Sequence, residues 1–73
     1  MSLLTATVSQ RRAVQREMLR AWNDAVKEVP AGEKFMLEWK AAIDALPELG
    51  DPVFKVNRLF WDMAEQLLAE LIE

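Results

Sequence analysis

The sequence predicts an all-α chain folded as a compact three-helix bundle, and three observations carry that prediction. Apolar residues recur at three- and four-residue steps along three segments, the spacing that places them on one face of a helix. Two proline-glycine punctuations, Val29-Pro30-Ala31-Gly32 and Leu46-Pro47-Glu48-Leu49-Gly50-Asp51-Pro52, separate those segments. No stretch alternates polar and apolar residues as a strand would. The expected helices cover about 8–29, 33–46 and 52–72.

Thr7, with Gln10 three positions later, forms a capping-box pattern at the start of the first helix. From there Val14, Met18, Ala21, Trp22, Ala25 and Val29 fall on one stripe. The second helix opens with acidic Glu33, where a carboxylate favours the positive end of the macrodipole, and Pro47 disfavours helical geometry in Leu46. Its expected buried line is Phe35, Trp39, Ala42, Ile43 and Leu46. Asp51 followed by Pro52 is a start signal for the third helix, since the carboxylate caps free N–H groups and proline has none to satisfy. Val56, Phe60, Met63, Leu67 and Leu71 then form its central line, with Lys55, Arg58, Asp62, Glu65, Gln66, Ala69, Glu70 and Glu73 on the opposite arc.

A chain of 73 residues and 8.4 kDa has room for one helical domain spanning 1–73, with about 60% of the unfolded surface buried on folding. Leu3 and Leu4 precede the first helix, so residues 1–7 either fold back on the bundle or remain a mobile arm. There is no Cys and no His, which removes disulfides and the usual soft-ligand zinc sites. Packing of helices has to supply the stability.

The net charge is −3 and the pI about 4.9, which argues against whole-molecule attraction to nucleic acid or to an anionic membrane. The charge is unevenly spread. Residues 1–30 carry five basic and three acidic side chains, net +2, whereas the rest carries four basic and nine acidic ones, net −5. The opening residues lack the pattern of a secretory signal, and no run approaches the roughly 20 apolar residues of a membrane span. The expected location is the cytoplasm.

Two features bear on function. Phe54, Trp61, Leu68 and Ile72 give the third helix an apolar shoulder beside its central stripe. Either helices 1 and 2 cover it, one on each side, or it forms a partner groove with Phe54 and Trp61 as anchors, since aromatic residues bury large area at low entropic cost. Arg12, Arg16 and Arg20 lie at steps of four along the first helix. The ordinary interpretation is a solvated face compensated by Arg20–Asp24 or Arg16–Glu17 pairs; the functional one is steering toward an acidic protein surface or phosphates. Asp44, Glu48 and Asp51 lack the spacing of a cation-binding loop, and Met18, Met36 and Met63 are expected as adaptable core filler.

Catalysis at neutral pH relies most often on His, Cys or an activated Ser or Lys held in a cleft. The only serines, Ser2 and Ser9, lie near one terminus, and there is no glycine-rich phosphate loop. The expectation is therefore no enzyme, no catalytic residues, no metal, no cofactor and no small-molecule substrate. Three helices with an arginine-bearing face also fit a small helix-turn-helix nucleic-acid binder. However, Asp51-Pro52-Val53-Phe54 at the start of the third helix offers no donor to a base edge, so direct nucleic-acid contact is not expected. A self-associating helical module is the other alternative, although a monomer is expected.

The opening Met-Ser-Leu-Leu-Thr-Ala-Thr-Val, the three tryptophans Trp22, Trp39 and Trp61, and the chain length resemble small phage-encoded RNA polymerase-binding regulators, of the transcription inhibitor and antiterminator type known from a Xanthomonas phage. The resemblance implies binding to bacterial RNA polymerase, including the N-terminal part of its largest subunit. It further implies inhibition of host promoter initiation with sigma displacement, and antitermination on later templates. On that reading Phe54 and Trp61 anchor a polymerase segment while Arg12, Arg16 and Arg20 steer association.

Overall fold

Thr7 opens the first helix, α1 (Val8–Ala25), by the expected reciprocal pairing. Its Oγ1 accepts from the Gln10 N–H at 3.1 Å, and its own N–H donates to Gln10 Oε1 at 2.9 Å, so both backbone donors are satisfied. The computed structural model describes residues 3–48 and 58–72. The second helix, α2, covers Lys34–Ala45 and runs into a 3₁₀ turn at Leu46–Glu48; the third, α3, covers Arg58–Ile72. The Asp51-Pro52 cap, Phe54 and Val56 lie outside the described residues.

α1 ends four residues before the expected boundary at Val29. Beyond Ala25 the N–H groups of Lys27 and Glu28 bond to the carbonyls of Asp24 and Ala25, three residues back, at 3.3 and 3.1 Å. The last turn tightens as the chain approaches Pro30, which biases Val29 away from helical angles. At the second punctuation the result is different. Leu46 keeps right-handed helical angles, φ −53° and ψ −44°, despite Pro47. Its side chain is fully buried, and that burial outweighs a pre-proline clash that disfavours the conformation without forbidding it.

The arrangement of the helices corrects one expectation. α1 is the central element, packing against α2, the 3₁₀ turn and α3, whereas α2 and α3 have little direct contact; the third helix is not the one flanked on both sides. Leu3, Ala6, Val14, Met18, Ile43, Leu46, Phe60, Ala64 and Leu68 form the core, and all three tryptophans pack around it. The Cα radius of gyration is 12.0 Å, close to the roughly 11 Å of a compact chain this long.

Two buried lines rotate relative to the sequence pattern. In α2 Met36 is buried and Phe35 is 54% exposed, because positions 36, 39, 43 and 46 share a face as regularly as 35, 39, 42 and 46 do. Trp22 lies against this face: its indole N–H donates to the Met36 carbonyl at 2.9 Å. In α3 Phe60, Ala64 and Leu68 are buried, while Met63 and Leu71 are exposed. The buried arc is turned by about 60° from the expected line, at 100° per residue. The residue that turns it is Ala64, whose short side chain is fully enclosed; a small residue at a helix contact lets the backbones approach.

The polar ties follow the same logic. Arg11, 8% exposed, donates through Nε and Nη2 to the Pro47 carbonyl at 3.3 and 3.2 Å, and through Nη1 to the carbonyls of Ala6 and Leu3 at 2.7 and 3.4 Å. Gln15 Nε2 donates to the Ile43 and Asp44 carbonyls at 3.1 and 3.3 Å. One edge of α1 thereby donates to carbonyls at the end of α2 and in the 3₁₀ turn, that of Ile43 also accepting from the Leu46 N–H, with a cation placed where the helix dipole favours it. On the other side, Leu3 is inserted into the core and its N–H donates to Glu65 Oε2 at 2.9 Å. Leu3 therefore folds back on the bundle, while Leu4 is exposed.

Candidate protein-docking site

Packing of α3 on α1 leaves an open groove of about 410 Å³ along their shared edge. Its apolar lining comes from Met18 and Ala21 of α1 and from Met63 and Leu67 of α3; its polar lining comes from Glu17, Arg20, Asp24, Gln66 and Glu70. The groove follows directly from the rotated arc. Turning Ala64 into the contact swings Met63 out of the core to 37% exposure, so this methionine lines a surface depression instead of filling the interior.

Phe54 lies outside the described residues, and the other expected site residues are dispersed. Trp61 is half-buried and packs against the core, on the opposite flank of Ala64 from Met63, so much of its ring is committed to the fold. Arg12, Arg16 and Arg20 are all exposed on α1. Of these, only Arg20 lines the groove. Arg20 pairs with Glu17 at 3.7 Å, and Asp24 pairs with Lys27 at 3.3 Å. The expected Arg20–Asp24 and Arg16–Glu17 pairs are not formed. Adjacent positions such as 16 and 17 point about 100° apart on a helix, whereas i and i+3 are neighbours. Among the described residues neither Arg12 nor Arg16 makes an ion pair.

The remaining groups have local roles. Asp44 takes the Lys40 ammonium at 3.0 Å, and the same ammonium lies 6.0 Å from the centre of the Trp22 ring. Among the described residues no group of three or more carboxylates is placed to hold a metal ion, and no described helix is long and apolar enough to cross a membrane. Sequence reasoning passed over Arg11, Gln15 and Glu65. The position of Arg11 contains a usable signal: 11, 14 and 18 share the buried stripe, and an arginine on an apolar stripe has to find acceptors.

The groove therefore combines an apolar strip with charged edges. No family model, curated protein or solved structure matches this chain.

Proposed function

We propose that the chain is a non-enzymatic, protein-binding transcription regulator that acts by stoichiometric docking on bacterial RNA polymerase. The observation that carries the binding half of this reading is the α1/α3 groove, in which the partly exposed Ala21, Met63 and Leu67 lie between charged side chains on two helices packed against a common core. Such a surface gains free energy when a partner covers its apolar lining and gains selectivity from its charged edge. Arg12 and Arg16, exposed and unpaired among the described residues, supply a second patch suited to steering toward acidic surface.

The choice of polymerase rests on the resemblance of the opening residues and the tryptophan pattern to the phage regulators. By that resemblance the docking point is the N-terminal part of the largest subunit. Occupancy there would inhibit promoter initiation by displacing sigma and would support antitermination. The test is co-elution of the purified chain with bacterial RNA polymerase, followed by promoter-directed transcription in its presence. A one-to-one complex that loses sigma and initiates poorly is the expected result; unimpaired initiation with no co-elution would overturn the reading. The arginine row also favours a second reading, a small nucleic-acid binder, which requires affinity for random duplex DNA that falls steeply as salt rises.

A further inference from the structure

We propose that the α1/α3 groove seats a basic amphipathic helix supplied by a partner protein. This rests on the reading of the chain as a binding module, and adds the chemistry of the segment that the groove accepts.

Length is the first argument. The groove is lined on α1 from Glu17 to Asp24 and on α3 from Met63 to Glu70, seven residue steps on each helix, or about 10 Å at 1.5 Å per residue. A helix laid along it places side chains at i, i+3 or i+4, and i+7 over the same distance, the spacing with which amphipathic helices anchor in grooves. Ala21, Met63 and Leu67 provide the apolar strip beneath such a row, and the unbranched thioether of Met63 adapts to the side chain set against it.

Charge decides the sign of the partner. Three carboxylates, Glu17, Asp24 and Glu70, line the groove with one guanidinium, that of Arg20, and Asp24 is held by the Lys27 ammonium at 3.3 Å. Arg20 is already turned onto Glu17. Glu70 is exposed and makes no ion pair among the described residues, which leaves it available to an incoming Lys or Arg. A helix with an apolar stripe flanked by basic residues meets both features; an acidic one would set like charges together, which disfavours the wrong partner. The groove is open on one side, so a small ligand would stay largely in water, whereas binding sites for small molecules enclose most of the ligand surface.

The test is fluorescence anisotropy with three labelled peptides. The first carries leucines at i, i+3, i+4 and i+7 among lysines, the second replaces its lysines by glutamates, and the third rearranges the first into strict Leu/Lys alternation. The expected result is that the first binds about tenfold more tightly than either other peptide. Glu70→Lys, at an exposed position, and Met63→Ser should each weaken it about fivefold with helicity unchanged by circular dichroism, while Arg20→Gln strengthens it about twofold. Equal binding of the first and second peptides, or binding indifferent to Glu70→Lys, would overturn the assignment. A concentration-dependent dimer of the chain alone that Met63→Ser dissolves would overturn it too, by making a second copy the occupant. Polymerase co-elution separates this proposal from the reading beneath it. Peptide selectivity without co-elution removes the polymerase and keeps the groove; undiminished co-elution of the Glu70→Lys chain with no peptide selectivity removes the groove and keeps the polymerase.

Discussion

The guanidinium of Arg11 is bonded through two of its nitrogens to the carbonyl of Pro47, 36 positions further along the chain. With its third nitrogen on Ala6 and Leu3, this one side chain joins the N-terminal turn, α1 and the end of α2. Replacing Arg11 by Met keeps an apolar stem of similar length but leaves those carbonyls short of a donor. The expected loss is about 2–3 kcal/mol, since bonds from a charged donor contribute more than neutral ones and buried acceptors left open carry a desolvation cost. Urea denaturation measures it. Arg11→Lys should recover only part of the loss, because an ammonium lacks the planar fork that reaches acceptors on two sides.

The Leu3 turn depends on both its side chain and Glu65. Leu3→Ala should cost about 2–4 kcal/mol, the range for emptying a fully buried leucine site. Glu65→Ala, which removes the acceptor of the Leu3 N–H, should cost about 1 kcal/mol. In both variants amide exchange at residues 3–6 should accelerate more than exchange in the middle of α1; uniform acceleration would show that the turn opens only with the whole bundle.

Neighbouring positions in α3 should respond unequally. Ala64→Leu forces extra volume into the α1/α3 contact and should destabilise by about 1–3 kcal/mol. Met63→Ala, on the groove side, should cost less than about 1 kcal/mol, as partly exposed sites away from the core do. Were the original apolar line the buried one, the order would be reversed.

The tryptophans differ in what their indole N–H groups do. That of Trp22 bonds to the Met36 carbonyl, whereas that of Trp39 is buried without a partner among the described residues. Trp22→Phe should therefore lose about 1 kcal/mol for the bond in addition to the lost packing. Trp39→Phe gives up packing but also relieves an unsatisfied donor, so it should be the milder change in thermal denaturation.

For association with polymerase, the arginine row should act through its summed charge. Arg12→Gln with Arg16→Gln should slow association by about threefold to tenfold at low salt and flatten its salt dependence. Adding Arg20→Gln should slow it further, since that change leaves the Glu17 carboxylate uncompensated. Stopped-flow mixing at two ionic strengths measures each step, and rates unchanged by the triple replacement would remove the steering role.

Much of the fold was legible because it is written in local chemistry. The Thr7–Gln10 cap involves residues three apart, and the segmentation by Pro30 and Pro47 depends on backbone rules that act on immediate neighbours. The site was less legible. Arg12, Arg16 and Arg20 read correctly as an exposed row, but Met63 read as core, since periodicity weighs each side chain by its own hydrophobicity and assigns little to an alanine.

The sequence by itself determined that the described residues form three helices and, to within a few residues, where α1 and α2 lie, because capping, proline geometry and the helical repeat act over three or four positions. Only the tertiary structure decided which helix is central, that Arg11 is the buried clamp, and that Met36 and Ala64 are enclosed while Phe35 and Met63 face outward. Each of those outcomes is a choice between two faces of nearly equal apolarity. The choice is made by close packing and by long-range acceptors such as the Pro47 carbonyl, which no local pattern contains.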